Sequence, residues 1–232
     1  MSMRLCLNNT MITLKQFVEE SLTNYTARSK EIPLFQEETQ KSLTNYQQKQ
    51  FVKVFYNVRG HFYKYLWYLG SLTDNNQIKS LVCKNIKEEF GTTVSHDTLY
   101  FEFGEQYGLD RYTEIVEESN YLPFVREFDK GHLKVLLSQT DNYAWAAFSA
   151  YEALDNIDYQ LTKDLVQNFS LKPKSVEFFE THVHVTHFQD TSPQLTAIWE
   201  TDPQSVRDGF EFILDHQLTM WNKFWEYLAA LK

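Results

Sequence analysis

Apolar residues recur at helical spacing along almost the whole chain. Val54, Val58, Phe62, Tyr65 and Leu69 follow at intervals of four and three, inside a glycine-poor stretch from about Leu43 to Gly70. Thr73 or Asp74 then offers an N-cap, and Ile78, Leu81, Val82 and Asn85 begin a second stripe. Trp145, Phe148, Glu152, Asp155 and Tyr159 mark a third. Pro173 and Ser175 precede a segment, VEFFETHV, that reads as another helix. Asp202 before Pro203 is a helix start, a capping carboxylate followed by proline in the first turn. Val206, Phe210, Ile213, Trp221, Phe224 and Leu228 carry that last stripe to the end. No alternating strand pattern of useful length interrupts these. The reading is an all-α, single-domain bundle of about seven to eight helices over residues 1–232, with residues 1–11 expected to be loosely ordered.

Three polar residues fall on faces that should be buried. Glu89 stands seven after Val82 and four after Asn85; Glu152 stands seven after Trp145 and four after Phe148; His182 stands four after Phe178. Burying an ionised carboxylate without a partner costs several kcal/mol, so these groups need donors or a cation. Carboxylate and imidazole groups on facing helices are how a bundle holds non-haem iron or manganese. His96, seven residues after Glu89, extends the set. On a straight helix that gap is roughly 10.5 Å at about 1.5 Å per residue, so a bend in the weak helix-forming Gly91, Thr92, Thr93 stretch is expected. His182, His184 and His187 lie within six positions, although 184 points away from 182. The plainer alternatives are a half-exposed glutamate at a helix end and a hydrogen-bonded core histidine.

Composition narrows the function classes. The 232 residues carry 22 basic and 31 acidic side chains, a formal charge of -9 with no basic block, which excludes a nucleic-acid partner of the usual cationic kind. Seven Gly and five Pro exclude collagenous and linker-rich chains. Two cysteines, Cys6 and Cys83, give no disulfide framework, consistent with a reducing, cytoplasmic location. No segment reads as a signal peptide or membrane span.

These residues resemble the haem-oxygenase-like diiron oxidase superfamily, with a fold like that of the TenA and PqqC enzymes, and within it the CADD-like branch (chlamydia protein associating with death domains). The likeness runs from about Ile32 to Tyr227. NIKEEFGTTVSHDTLYFEFGEQYGLD is similar to the family's Glu-then-His segment, AFSAYEALDNID to its Tyr-Glu segment, and SVEFFETHVHVTHFQ to its Phe-Phe-Glu-x-His helix. The resemblance implies iron ligands at Glu89, His96, Glu152 and His182. It also wants Asp and His four and seven residues after His182, where Thr186 and Gln189 stand. Two readings stay open. One iron binds at Glu89, Glu152 and His182; or a one-residue π-bulge turns His187 and Asp190 into the places of Thr186 and Gln189.

The implied chemistry is oxygen activation by Fe(II), one or two per chain, with O2 as co-substrate and a small organic substrate such as an amino acid or fatty acid. Arg59, Arg126 and Lys163 are candidates to pair a substrate carboxylate. A self-sacrificing route to para-aminobenzoate, which draws on an enzyme's own tyrosine and a lysine, does not carry over: Phe35 and Thr162 occupy those positions, with Lys163 one place along. The runner-up is a metal-poor module that binds a small molecule or a protein. A cofactor-free or thiamin-degrading enzyme built on Cys83 ranks last. A homodimer is the expected assembly for this fold, and no membrane partner is expected.

Overall fold

A computed structural model describes residues 12–231, so the expectation for residues 1–11 lies outside the described residues. The described chain is helical throughout and contains no strand. In order the helices are α1 (Leu14–Glu31), α2 (Glu37–Ser42), α3 (Asn45–Gly60), α4 (Phe62–Leu72), α5 (Asn76–Phe90) and α6 (His96–Gly104). There follow α7 (Arg111–Ile115), α8 (Pro123–Ser138), α9 (Asp141–Gln167), α10 (Glu177–Val183), α11 (His187–Thr201) and α12 (Pro203–Ala230). Eight of them exceed ten residues, in keeping with the seven to eight expected, and the short α2, α6, α7 and α10 fill the turns between.

Local chemistry sets the boundaries. Thr13 and Thr44 each form a capping box with the glutamine three residues on, starting α1 and α3. Asp202 caps α12 through the Ser205 amide, with Pro203 in the first turn. The start of α5 falls on Asn75, one or two residues later than read: its Oδ1 accepts from the amides of Gln77 and Ile78, while the Thr73 hydroxyl accepts from Asn75. The long stripe through Val58 and Phe62 is divided at His61, whose Nδ1–H donates to the Val58 carbonyl.

Helix α9 is the spine. Its alanines at 144, 146, 147, 150 and 153 let neighbouring helices approach, and α10, α11 and α12 all pack on it. Gly209 of α12 marks the closest crossing: a Cβ there would meet Ala146 Cβ and the Ala147 amide at 2.9 Å. Below the crossing lies a ladder of rings, Phe51, Phe55, Trp221 and Phe224, with centroids 5.1 to 6.0 Å apart. Burying each such ring contributes about 2–3 kcal/mol. A buried acid, Asp158 on α9, ties in two further helices. It accepts from Tyr25 of α1 at 2.6 Å and from Gln217 and Trp221 of α12 at 2.6 and 3.1 Å. Among the described residues no helix is long and apolar enough to cross a membrane. Residues expected to replace the self-sacrificing pair are structural: Phe35 packs edge-on to Trp221, and Thr162 donates to the Asp158 carbonyl.

Candidate metal centre

Four helices carry the polar residues that interrupt the apolar stripes. Helix α5 presents Asn85, Glu88 and Glu89 in its last two turns and stops at Gly91. Gly91 has φ +64°, and a Cβ on it would strike the Val94 carbonyl oxygen, so only glycine makes this turn. The chain re-enters a helix at once, because the Ser95 hydroxyl caps α6 through the Thr98 amide. His96 is therefore the first residue of a new helix. The expected bend is a complete break, and it places His96 Nδ1 3.2 Å from Glu89 Oε1.

Helix α10 supplies His182. Its Nδ1–H donates to the Phe178 carbonyl at 2.7 Å, which fixes the tautomer and leaves Nε2 as a bare lone pair. That lone pair faces Glu89 Oε1 at 4.0 Å. One ligand atom from each of Glu89, His96 and His182 lies within 4.8 Å of the other two, and all three residues are buried. Burial alone would raise the Glu89 carboxyl, but the adjacent His96 and His182 rings and Arg59 overcome it and hold the group down to about 2. Burial pushes His182 down to about 3, keeping it neutral. An anionic oxygen thus faces a neutral nitrogen's lone pair in a dry interior, and His96 Nδ1 has no hydrogen-bond partner despite its proximity. Two acceptors in that relation repel unless a cation lies between them. The donor set of one carboxylate and two imidazoles suits a divalent first-row ion.

Glu152 is not part of that 4.8 Å group. Asn85 Nδ2 donates to its Oε1 at 2.8 Å, and its Oε2 sits 3.2 Å from His187 Nδ1. Of the four residues expected as ligands, Glu89, His96 and His182 are the three whose ligand atoms lie within 4.8 Å of one another.

The π-bulge expectation is also corrected. Helix α10 ends at Val183 and α11 begins at His187, so a full break replaces a bulge. Asn156 of α9 clamps this break, donating to the carbonyls of His182, Val183 and Val185 at 3.1, 2.9 and 3.1 Å. His187 turns inward and is buried, but Asp190 pairs with Lys84 at 2.5 Å instead. Thr186 and Gln189, at the motif positions, are exposed, as is His184. The sequence reading missed Asn156, Asn85 and Glu88, whose only signal was polar spacing along the inner edges of α5 and α9.

A narrow pocket opens onto Glu89 and His182, walled by Arg59, Tyr63, Tyr151, Asp155 and Tyr159. Tyr63 donates to Glu89 Oε2 at 3.2 Å, and Tyr159 stacks on the His182 ring at 4.3 Å. Of the three cations proposed for a substrate carboxylate, only Arg59 reaches this pocket. Its buried guanidinium lies among the Tyr56, Tyr100 and Phe178 rings and contacts Asp97 at 3.4 Å. Arg126 pairs with Glu118 and Lys163 with Glu180, away from the pocket. Cys83 is exposed.

The bundle has a heme oxygenase-like fold. It is similar to a CADD-like protein of unknown function from Nostoc punctiforme PCC 73102 (TM-score 0.72, 18% identity, 93% of this chain and 96% of that one). It is also similar to a domain of unknown function with a heme oxygenase-like fold from Shewanella denitrificans OS217 (TM-score 0.69, 16% identity, 94% of each chain). A TenA homolog from Pseudomonas syringae pv. tomato str. DC3000 matches at TM-score 0.69, with 13% identity over 99% of this chain and 98% of that one. No curated protein sequence matches the chain. Residues 49–197 match the model of the iron-containing redox enzyme family, and the chain belongs to that family.

Proposed function

We propose that this protein is a non-haem iron oxidase or oxygenase that acts on a small organic substrate with O2. The carrying observation is the Glu89 carboxylate facing the bare Nε2 of His182, with His96 Nδ1 beside it and no proton to share between the first two. Glu89, His96 and His182 would hold iron. Bound ferrous iron supplies electrons and an open coordination position to dioxygen.

The remaining work falls to the chain's own side chains. Phe178 fixes His182 through its carbonyl, and Tyr159 covers the ring, so the imidazole cannot rotate away. Tyr63 steadies the second oxygen of Glu89 with its hydroxyl proton. The wall of Phe62, Tyr151 and Tyr159 keeps bulk water off the centre, which limits wasteful side reactions. Arg59 gives the pocket one fixed positive charge, which favours a substrate bearing a carboxylate, such as an amino acid or fatty acid.

The second reading, a metal-poor binding module, draws on the exposed Thr186 and Gln189, where the resemblance calls for ligands. Anaerobic reconstitution with Fe(II), removal of loose metal and measurement of bound iron and of O2 uptake separate the two. Retention of at least one iron per chain, with O2 uptake that a Glu89→Ala, His182→Ala variant lacks, supports the oxidase. Equal iron in both proteins supports the binding module.

A further inference from the structure

We propose that His132, His61 and Asp129 form a proton relay between the metal pocket and the protein surface. The inference rests on the iron reading above and adds to it the handling of protons. Oxidation of an organic substrate releases protons and reduction of dioxygen takes them up. A pocket that excludes water has no solvent to carry the difference, so it needs a built route. The route is visible in side chains behind the pocket wall. Tyr151, which lines the pocket beside Glu89 and His182, packs its ring edge-on to His132 at 5.4 Å. His132 Nδ1 lies 3.0 Å from His61 Nε2, and His61 Nδ1 lies 3.3 Å from Asp129 Oδ1. All three residues are buried. The other oxygen of Asp129 accepts from the hydroxyl of Tyr121, a half-buried residue whose ring lies under the Arg126 and Lys64 cations.

The carrying observation is a set of orphaned atoms at both ends of this series. With its Nδ1–H given to His61, His132 keeps a bare lone pair at Nε2, and that atom has no partner. The Tyr65 ring packs against His132 at 5.6 Å, and its buried hydroxyl also has none. Asp129 Oδ1 is the third. Unpaired buried polar atoms destabilise a fold, so a core shaped only by packing does not collect them in one place. Ordered water at His132 Nε2 and the Tyr65 hydroxyl would satisfy both and join the series to the pocket wall. A proton arriving at His132 Nε2 sends the Nδ1 proton to His61, and the His61 Nδ1 proton passes from the Val58 carbonyl to Asp129. Each ring gains one proton and gives up another, so neither keeps a charge. The reverse sequence returns the proton to the pocket. Burial raises Asp129 to about 7 against the Tyr121 hydroxyl and the Lys64 and Arg126 charges, so this carboxyl takes up and releases a proton near neutrality.

Two measurements on the full chain test the relay. In the metal-free protein, NMR of isotope-labelled histidine reads the exchange of the His61 and His132 ring N–H protons with water. Exchange is expected despite the burial of both rings. In Asp129→Asn, that exchange and the O2 uptake of the Fe(II)-loaded chain should each slow by about 100-fold. The variant's O2 uptake should also gain a larger solvent deuterium isotope effect and recover in Asp129→Glu. Co(II) affinity should be unchanged in both variants, which shows that they are folded around an intact site. Ring exchange or O2 uptake equal in wild type and Asp129→Asn overturns this inference and leaves the iron reading standing. Loss of Co(II) affinity in both variants makes Asp129 a structural residue and overturns it too. A wild type that takes up no O2 overturns the iron reading, and the relay with it.

Discussion

Two clusters of histidines, buried except for the half-buried His216, sit in this bundle, and only one has the make-up of a metal centre. In the first, His96, His182 and His187 each turn one ring nitrogen toward a glutamate oxygen, and two of the three rings anchor the other nitrogen on a backbone or carboxylate acceptor. In the second, His61, His132 and His216 bring as many imidazoles together with Asp129, at ring separations of 4.8 Å. There the rings bond to one another and to the backbone, although His132 Nε2 and Asp129 Oδ1 are buried without a hydrogen-bond partner. His61 Nδ1–H donates to Val58 and its Nε2 accepts from His132 Nδ1–H at 3.0 Å, while His216 donates to the Phe128 carbonyl at 2.8 Å. Asp129 is engaged by the Tyr121 hydroxyl. Gly131 makes room for the His216 ring, whose atoms would lie 2.4 Å from a Cβ at that position. What distinguishes a ligand set from a core cluster is therefore the direction of the lone pairs, and not the number of histidines. Convergent acceptors need an ion; in the second cluster the His61 ring instead donates to a backbone carbonyl and accepts from the next ring.

The comparison breaks most visibly at Glu89. Glu89→Gln keeps volume and removes charge, and metal affinity at the first site is expected to fall by more than the roughly 10- to 100-fold that loss of a supporting partner costs. Equilibrium dialysis with Co(II) measures it, and unchanged affinity would mean that the carboxylate is no ligand. His132→Leu should do the reverse. It leaves His61 Nε2 buried and unpaired, lowering stability by about 1–3 kcal/mol in urea unfolding, with metal uptake unaltered.

A smaller effect sharpens the second cluster. Burial lowers His61 to about 4 and also holds His132 well below the usual imidazole range, so these rings are neutral in the fold and stability drops as pH falls below about 6.5 toward 4. Burial raises Asp129 to about 7, so its contribution has the opposite sign: it is full below pH 4 and lost as pH rises through about 7. Asp129→Asn removes that opposing slope. The variant should lose more stability between pH 7 and pH 5 than the wild type does, read from urea midpoints at each pH; equal losses would contradict the assignment. Smallest of all, Thr186→Ala and Gln189→Ala should change neither metal uptake nor stability beyond about 0.5 kcal/mol, since both side chains are in solvent.

The all-helical architecture was legible because long amphipathic stripes carry their own period, and Asp202–Pro203 announced the last helix outright. Glu89, Glu152 and His182 were legible as charges on buried faces. Their grouping was not. Spacing along one helix ranks neighbours only while the helix continues, and here the chain breaks at Gly91 and again at residues 184–186. The first break carries a signal, a glycine followed by a Ser-x-x-Thr cap. The second is enforced by Asn156, some thirty residues earlier on α9, so no local pattern marks it. The His61 cluster was invisible for a similar reason: its rings come from α8, α12 and the α3–α4 junction, and only packing unites them.

Anomalous diffraction at the iron edge from crystals grown anaerobically with Fe(II) examines the central claim without reference to any substrate. The account expects a peak among Glu89 Oε1, His96 Nδ1 and His182 Nε2, and none among His61, His132 and His216. A peak at the second cluster, or no peak at the first, would contradict it.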